Sequence, residues 1–207
     1  MDRIPRSFLA VDPETLARRL LGQRLVRTLD DGTRLAGIIV ETEAYLGVRD
    51  RAAHSFGGRR TPRNESMYAS AGTAYVYFTY GMHHCVNVVC GRRDEPVAVL
   101  IRALEPVEGL DVMRTNRAAR RAHKQPLRET DLCSGPAKLA QALGITRELD
   151  GVDLTRAGPL HLERARTRPL PRAAVVNTPR IGVGYAGRWA ARRLRWRLAA
   201  NPHVSRP

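Results

Sequence analysis

Lysine is nearly missing from this chain of 207 residues. Lys124 and Lys138 are the only two, and arginine supplies every other member of a basic set of 35. Chemistry that needs a desolvated amine nucleophile therefore has few places to sit. Cysteine is scarce as well. Cys85, Cys90 and Cys133 are odd in number and form no CxxC pair, which argues against a disulfide framework and fits reduced thiols in a cytosol. Nowhere do apolar residues run to the ~18 that a membrane span requires. The opening MDRIPRSFLA also lacks the apolar stretch of a secretory signal. A cytoplasmic protein with no membrane partner is expected. No repeat, low-complexity tract or Gly/Ser-rich linker divides the sequence, so we expect one domain over residues 1–207, with 43% apolar residues to build its core.

What is abundant is positive charge. The 35 basic residues face 20 acids, leaving +15, and from residue 155 onward twelve arginines face the single acid Glu163. Arginine presents a flat, bidentate donor fork to phosphate, which favours a nucleic-acid partner over a merely soluble basic surface.

The hydrophobic pattern alternates between strand and helix periods. Asp12-Pro13 starts a helix that stops at Gly22. Residues 24–29 and 33–45 read as strands joined by Asp30-Asp31-Gly32, a hairpin signal. A polar loop rich in Gly and Arg covers 46–64 and is long enough to suspect function. A second hairpin is expected from 73–79 and 84–90, turning at Tyr80-Gly81-Met82. Then come a buried strand at 97–103, a helix from Pro106 to about Arg121, and a shorter helix at 136–143 closed by Gly144. Short strands are expected near 160–162, 180–183 and 194–198. Strand hairpins mixed with helices, without regular βαβ alternation, predict an α+β fold: a mainly antiparallel curved sheet with surrounding helices and a protruding β-hairpin.

Two segments bear on chemistry. In IIVETEAYLG, strand alternation puts Glu41, Glu43 and Tyr45 on one face and Val40, Thr42 and Ala44 on the other. Two readings fit that face: a solvated strand surface, or carboxylates held for acid–base work. In AYVYFTYGMHHCVNVVC, Tyr75 and Tyr77 share a face, Asn87 returns beside them, and Tyr80 and Met82 flank Gly81 at the turn. A hairpin tip is ordinarily polar. An aromatic and a methionine there either wedge into a DNA groove or fold back on the core. Between the segments, His54 can stack on a base or simply be a satisfied loop histidine, while Arg59, Arg60 and Arg63 suit phosphate contacts. His83 and His84 beside Cys85 raise the question of a metal. Adjacent strand side chains point to opposite faces, so no metal is expected.

Six segments, VETEAYLG, AAHSFGGRRTPRN, YVYFTYGMHHCVNV, VLIRALEP, LCSGPAKLAQALGI and RIGVGYAGRWA, together resemble the alkyladenine (3-methyladenine) DNA glycosylase family. They occur in that family's order and spacing, from about Leu16 to Ser205. The resemblance implies a single-domain α+β enzyme that acts as a monomer, without metal or cofactor, on double-stranded DNA containing a damaged purine. It implies Glu43 as general base for the attacking water, with Arg102 near that water. Tyr45, His54 and Tyr77 correspond to the residues that sandwich the flipped base. Asn87 corresponds to the residue that excludes undamaged guanine. Tyr80 corresponds to the intercalating side chain, with Met82 beside it, and Arg59, Thr61 and Arg63 fall in the DNA-binding loop. The sequence departs from the family at His83, where some relatives carry an aromatic, and at Ser70-Ala71-Gly72, which replaces a proline-containing turn.

The chemistry suits these residues. Breaking an N-glycosidic bond makes the sugar oxocarbenium-like, and a carboxylate both stabilises that charge and deprotonates water. A purine alkylated at N3 or N7 is already cationic and leaves readily, and aromatic walls select it through cation–π attraction. Neither lysine lies in the tyrosine-rich segments, which favours hydrolysis without strand cleavage. The competing reading is a non-catalytic, arginine-rich nucleic-acid-binding protein, for which Glu43 has no use.

Overall fold

The computed structural model describes residues 2–79, 81–119 and 127–205. It opens with helices α1 (Arg6–Leu9) and α2 (Pro13–Leu20). α2 begins where the Asp12 carboxylate accepts the Thr15 N–H at 2.9 Å and Pro13 takes the first helical position, where no N–H is needed. Its inner face, Leu16, Ala17 and Leu20, is fully buried. The strands are β1 (Arg24–Thr28), β2 (Arg34–Tyr45), β3 (Ala74–Thr79), β4 (His83–Val89), β5 (Ala98–Glu108), β6 (Leu160–Glu163), β7 (Val175–Thr178) and β8 (Arg195–Leu198). Between β5 and β6 lie α3 (Leu110–Ala118), α4 (Glu129–Leu132) and α5 (Pro136–Ala142). The two expected hairpins, β1–β2 and β3–β4, both form.

The eight strands join one curled antiparallel sheet, six in the order β3-β4-β5-β2-β1-β6, with β8 pairing β2 and β7 pairing β8, an α+β arrangement as expected. The twelve-residue β2 organises it. One edge of β2 pairs with β5. The other pairs first with β1, over residues 34–38, and then with β8, over residues 41–43. Helices α2, α3 and α5 cover one face of the sheet. On the hairpin, Val76, Val86 and Val88 belong to that core, while Tyr75, Tyr77, Cys85 and Asn87 face a cavity on the other side. The period-2 alternation of a strand thus divides packing residues from site residues.

Two expectations fail. Pro106 does not open a helix; β5 continues through it to Glu108, and α3 starts at Leu110. Pro106 lies opposite Gly37 beside a register shift, where a strand tolerates the missing N–H. The turn belongs to Gly109 at φ 77°, where an added Cβ would sit 2.6 Å from the Arg34 carbonyl, so only glycine fits. The expected end of that helix, at Arg121, lies outside the described residues. In the last third, the strand falls at Val175–Thr178 and not at 180–183, because Arg180 turns inward to pair with Asp50.

Candidate active site

The face expected on β2 exists, but it is not solvated: Glu41 and Glu43 are both fully buried. The register of β2 against β5 breaks twice here. Val40 drops out of the pairing on one strand and Arg102 on the other, so that Ala103 faces Glu41 and Ile101 faces Thr42. Bulges of this kind re-aim side chains next to functional sites. This one turns the Arg102 guanidinium onto the carboxylates, with Nε 2.9 Å from Glu41 Oε1 and a terminal nitrogen 3.2 Å from Glu43 Oε1.

The two carboxylates differ in what they have left to offer. Glu41 Oε1 accepts from Arg102 Nε at 2.9 Å, Arg195 Nε at 2.7 Å and Ser205 Oγ at 2.9 Å; its Oε2 accepts the Ser205 N–H at 2.6 Å. Three of these four bonds converge on Oε1, and only one reaches Oε2. Burial alone would raise the Glu41 pKa, but Arg102, the Ser205 N–H and Arg195 outweigh it and hold the carboxyl below its usual range. Among the described residues Glu43 accepts two hydrogen bonds, from the Ile181 N–H to Oε1 at 2.8 Å and from the Tyr45 hydroxyl to Oε2 at 3.0 Å, with Arg102 as an ion-pair partner 3.2 Å from Oε1. One acceptor direction on Glu43 Oε2 stays open. Its three partners Tyr45, Arg102 and Ile181 all line a cavity of about 290 Å³.

That cavity is walled by aromatics. Tyr75 and Tyr77 lie 5.3 Å apart at 30°, and the His54 ring meets Tyr77 edge-on at 4.5 Å and 88°. His54 Nδ1 is 2.7 Å from the Tyr75 hydroxyl. Burial, reinforced by Arg63 and Arg59, lowers the His54 pKa to about 4, so the ring is neutral at physiological pH. Burial likewise raises the phenol pKa values of Tyr45, Tyr75 and Tyr77, keeping them as donors. Asn87 donates its amide N–H to the Tyr75 carbonyl at 3.0 Å, which fixes the side chain at the cavity wall. The structure therefore gathers Tyr45, His54, Tyr77, Asn87 and Arg102 around one space, with Glu43 directly behind it.

The loop residues sit at its rim. A second recess, sharing Ala52, Ala53, His54 and Tyr185 with the first, is lined by Arg51, Arg59, Thr61 and Arg63. Arg59 and Arg63 are exposed. Arg63 donates to the Phe78 carbonyl at 2.9 Å, and Thr61 is held by Asn64 Oδ1 through both its N–H and its hydroxyl. Met82 is 57% exposed beyond the β3–β4 turn. Tyr80 lies outside the described residues. His84 packs on Phe78 at 5.1 Å while Cys85 faces the cavity, so these neighbours do point apart.

Sequence reasoning missed the residues that hold the site from behind. Arg180 and Asp50, both inaccessible, form an ion pair at 2.6 Å, and the Arg180 guanidinium stacks on Tyr45 at 4.7 Å. An acid and an arginine 130 positions apart leave no local pattern. Ile181 contributes only its backbone, and Tyr185, 71% exposed at the mouth, had been read only as part of a motif. A larger recess of about 790 Å³ is lined by Arg6, Arg49, Arg92 and Arg93 against Asp12, Glu14 and Glu95, without an aromatic wall. Opposite charges offset one another there, and the converging chemistry lies in the smaller cavity.

This constellation recurs in known proteins. Residues 7–202 match the sequence profile of the methylpurine-DNA glycosylase family. The chain belongs to that family. Human DNA-3-methyladenine glycosylase is 47% identical over 207 residues, covering 99% of this chain and 68% of the human protein. The mouse enzyme of the same name is also 47% identical, over 98% of this chain and 61% of its own length. A Bacillus cereus protein carrying the 3-methyladenine DNA glycosylase name is 42% identical across 98% of both chains. As a methylpurine-DNA glycosylase family member, the chain is an enzyme of the DNA-repair glycosylase class, a hydrolase of N-glycosyl bonds. No helix among the described residues is long and apolar enough to cross a membrane, and no three metal-ligating side chains gather among them.

Proposed function

We propose that this protein excises damaged purines of the 3-methyladenine type from duplex DNA, by flipping the nucleotide into the aromatic cavity and hydrolysing its glycosidic bond with a water activated by Glu43. The observation that carries this reading is the open acceptor direction on Glu43, at the back of a cavity whose walls are tyrosines. In it, the glycosidic bond breaks with its electron pair leaving on the purine, the ionised Glu43 carboxylate stabilises the oxocarbenium-like sugar, and a water hydrogen-bonded to Glu43 attacks the anomeric carbon while the carboxylate takes its proton. Arg102 and the Ile181 N–H hold the carboxylate in place.

The walls supply selectivity. Tyr45 and Tyr77 stack on the flipped base, and cation–π attraction favours one that alkylation has made cationic. A neutral His54 adds no repelling charge beside such a base. Asn87, pinned to the Tyr75 carbonyl, crowds the 2-amino group of undamaged guanine. Arg59, Thr61 and Arg63 hold the phosphates beside the flipped nucleotide, while Tyr80 and Met82 fill the gap it leaves in the duplex. Among the described residues the cavity lining holds no lysine, consistent with hydrolysis and not with a Schiff base.

Single-turnover release of 7-methylguanine, 3-methyladenine, ethenoadenine or hypoxanthine from duplex DNA tests the reading. Glu43→Gln should keep lesion binding and lose about 10²–10⁴-fold in rate, the range ascribed to acid–base catalysis. Near-native excision by that variant removes Glu43 from the mechanism, and failure of the native protein on every lesion overturns the activity.

A further inference from the structure

Arg102 stands between two buried carboxylates, and they differ in how they meet the cavity. The three partners of Glu43 all line it, whereas of the donors to Glu41 only Arg102 does; Arg195 and Ser205 are not among the lining residues. The effect of Glu41 on the site runs through Arg102. The guanidinium is planar, so a bond from Nε to Glu41 at 2.9 Å fixes the plane in which the terminal nitrogen meets Glu43 at 3.2 Å. Ser205 closes the arrangement. Its N–H and hydroxyl both donate to Glu41, and its Oγ lies 3.4 Å from the second terminal nitrogen of Arg102. The segment that carries Ser205 is itself tied down. Asn201 donates to Glu105 on β5 at 2.8 Å and accepts from the His203 N–H at 2.9 Å.

We infer that Glu41 and Ser205 form a positioning clamp for the reaction, holding Arg102 so that it orients Glu43, without either residue touching DNA. This rests on the reading of Glu43 as the base. The other titratable or charged groups around Glu43 are Tyr45 on β2, Tyr77 and Cys85 on the β3–β4 hairpin, and Arg180. None of these bonds to Glu41.

The test measures single-turnover base release from a 7-methylguanine duplex, beside lesion-duplex affinity and thermal melting, for the full chain and for Glu41→Gln, Glu41→Asp and Ser205→Ala. Glu41→Gln should lose about 10²-fold in rate, the cost of a small misplacement at a reacting group, with affinity for lesion DNA unchanged. Glu41→Asp should recover part of the rate. A purely structural Glu41 lowers the melting temperature but leaves the rate of the folded fraction native, and that result overturns the clamp. If Glu41→Gln does not fold, Ser205→Ala decides: a smaller loss of rate at unchanged affinity supports the clamp, and a native rate overturns it. Glu43→Gln in the same series separates the two ideas. Loss there with a native Glu41→Gln rejects only the clamp, whereas a native Glu43→Gln rejects the base itself.

Discussion

Behind the cavity, Glu41, Glu43 and Asp50 meet Arg102, Arg180 and Arg195, and each of these six residues is under one-tenth exposed. In the loop before β3, Arg60 holds Glu65 and Asp94 at 2.6 and 2.7 Å, with 46%, 57% and 62% of the respective side chains in water. The contacts have similar lengths, but their surroundings give them different weight. The buried set is balanced, three negative groups against three positive. Each member satisfies another whose exposure to a low dielectric is otherwise costly. The surface set trades hydration for contact and is screened by salt. The interior charge around the site therefore sums to zero, and the net +15 of the chain comes from outside this set.

The sharpest way to break this comparison is to remove one member of the buried set. Asp50→Asn leaves Arg180 without its counter-charge and should cost about 3–5 kcal/mol of stability in a denaturant titration. Asp50→Leu combined with Arg180→Met should recover much of that loss, because no orphaned charge remains. A cost for Asp50→Asn no larger than that of an exposed pair, about 1 kcal/mol or less, places the buried and surface pairs in one class.

A smaller effect separates a buried group that has no counter-charge from those that do. The pKa of His54 in the fold, about 4, lies below its ordinary 6.5. As pH falls from 6.5 toward 4 the unfolded chain takes up the proton first, so stability declines across that window and flattens below it. The depressed Glu41 works lower. Its contribution is complete above the ordinary 4.5 and disappears only as pH falls through its folded value. Melting temperature followed against pH should show both slopes in the native protein and only the lower one in His54→Gln. An unchanged upper slope in the variant places His54 in solvent.

The smallest effect lies among the surface arginines themselves. Arg59 and Arg63 border the recess beside the cavity, whereas Arg60 is committed to Glu65 and Asp94. Arg59→Gln and Arg63→Gln should each reduce the log–log salt slope of DNA binding by about 0.9, the value for one phosphate neutralised. Arg60→Gln should leave both slope and melting temperature near native. Equal slopes in all three variants make the loop a uniform cationic surface.

Legibility in the sequence followed the distance between partners. The start of α2, both hairpins and the one-faced placement of Glu41, Glu43 and Tyr45 come from neighbours a few residues apart, where capping and alternation act directly. The burial of that face could not be read locally, since Arg180, Arg195 and Ser205 approach it from more than 130 residues away. Pro106 misled because proline opens helices more often than it sits beside a bulge; Gly109, three residues on, was the better signal. The tyrosine and asparagine positions of the β3–β4 hairpin were legible as a face, and the structure turns that face into the wall of the cavity.

β2 changes neighbours along one edge, from β1 to β8, at the position of its carboxylates. That exchange sets an order of assembly during synthesis. A chain emerging from the ribosome at about 5–20 residues per second completes both hairpins and the aromatic wall early. Arg180, Ile181, Arg195 and Ser205 arrive afterwards, and the contact between Ser205 and Glu41 spans 164 positions. Until then the partners the carboxylates have are Arg102 and, for Glu43, the Tyr45 hydroxyl. The nascent protein can build a pocket shaped for a base well before it can hold the group that would cut one free, so commitment to chemistry comes with the last stretch of chain.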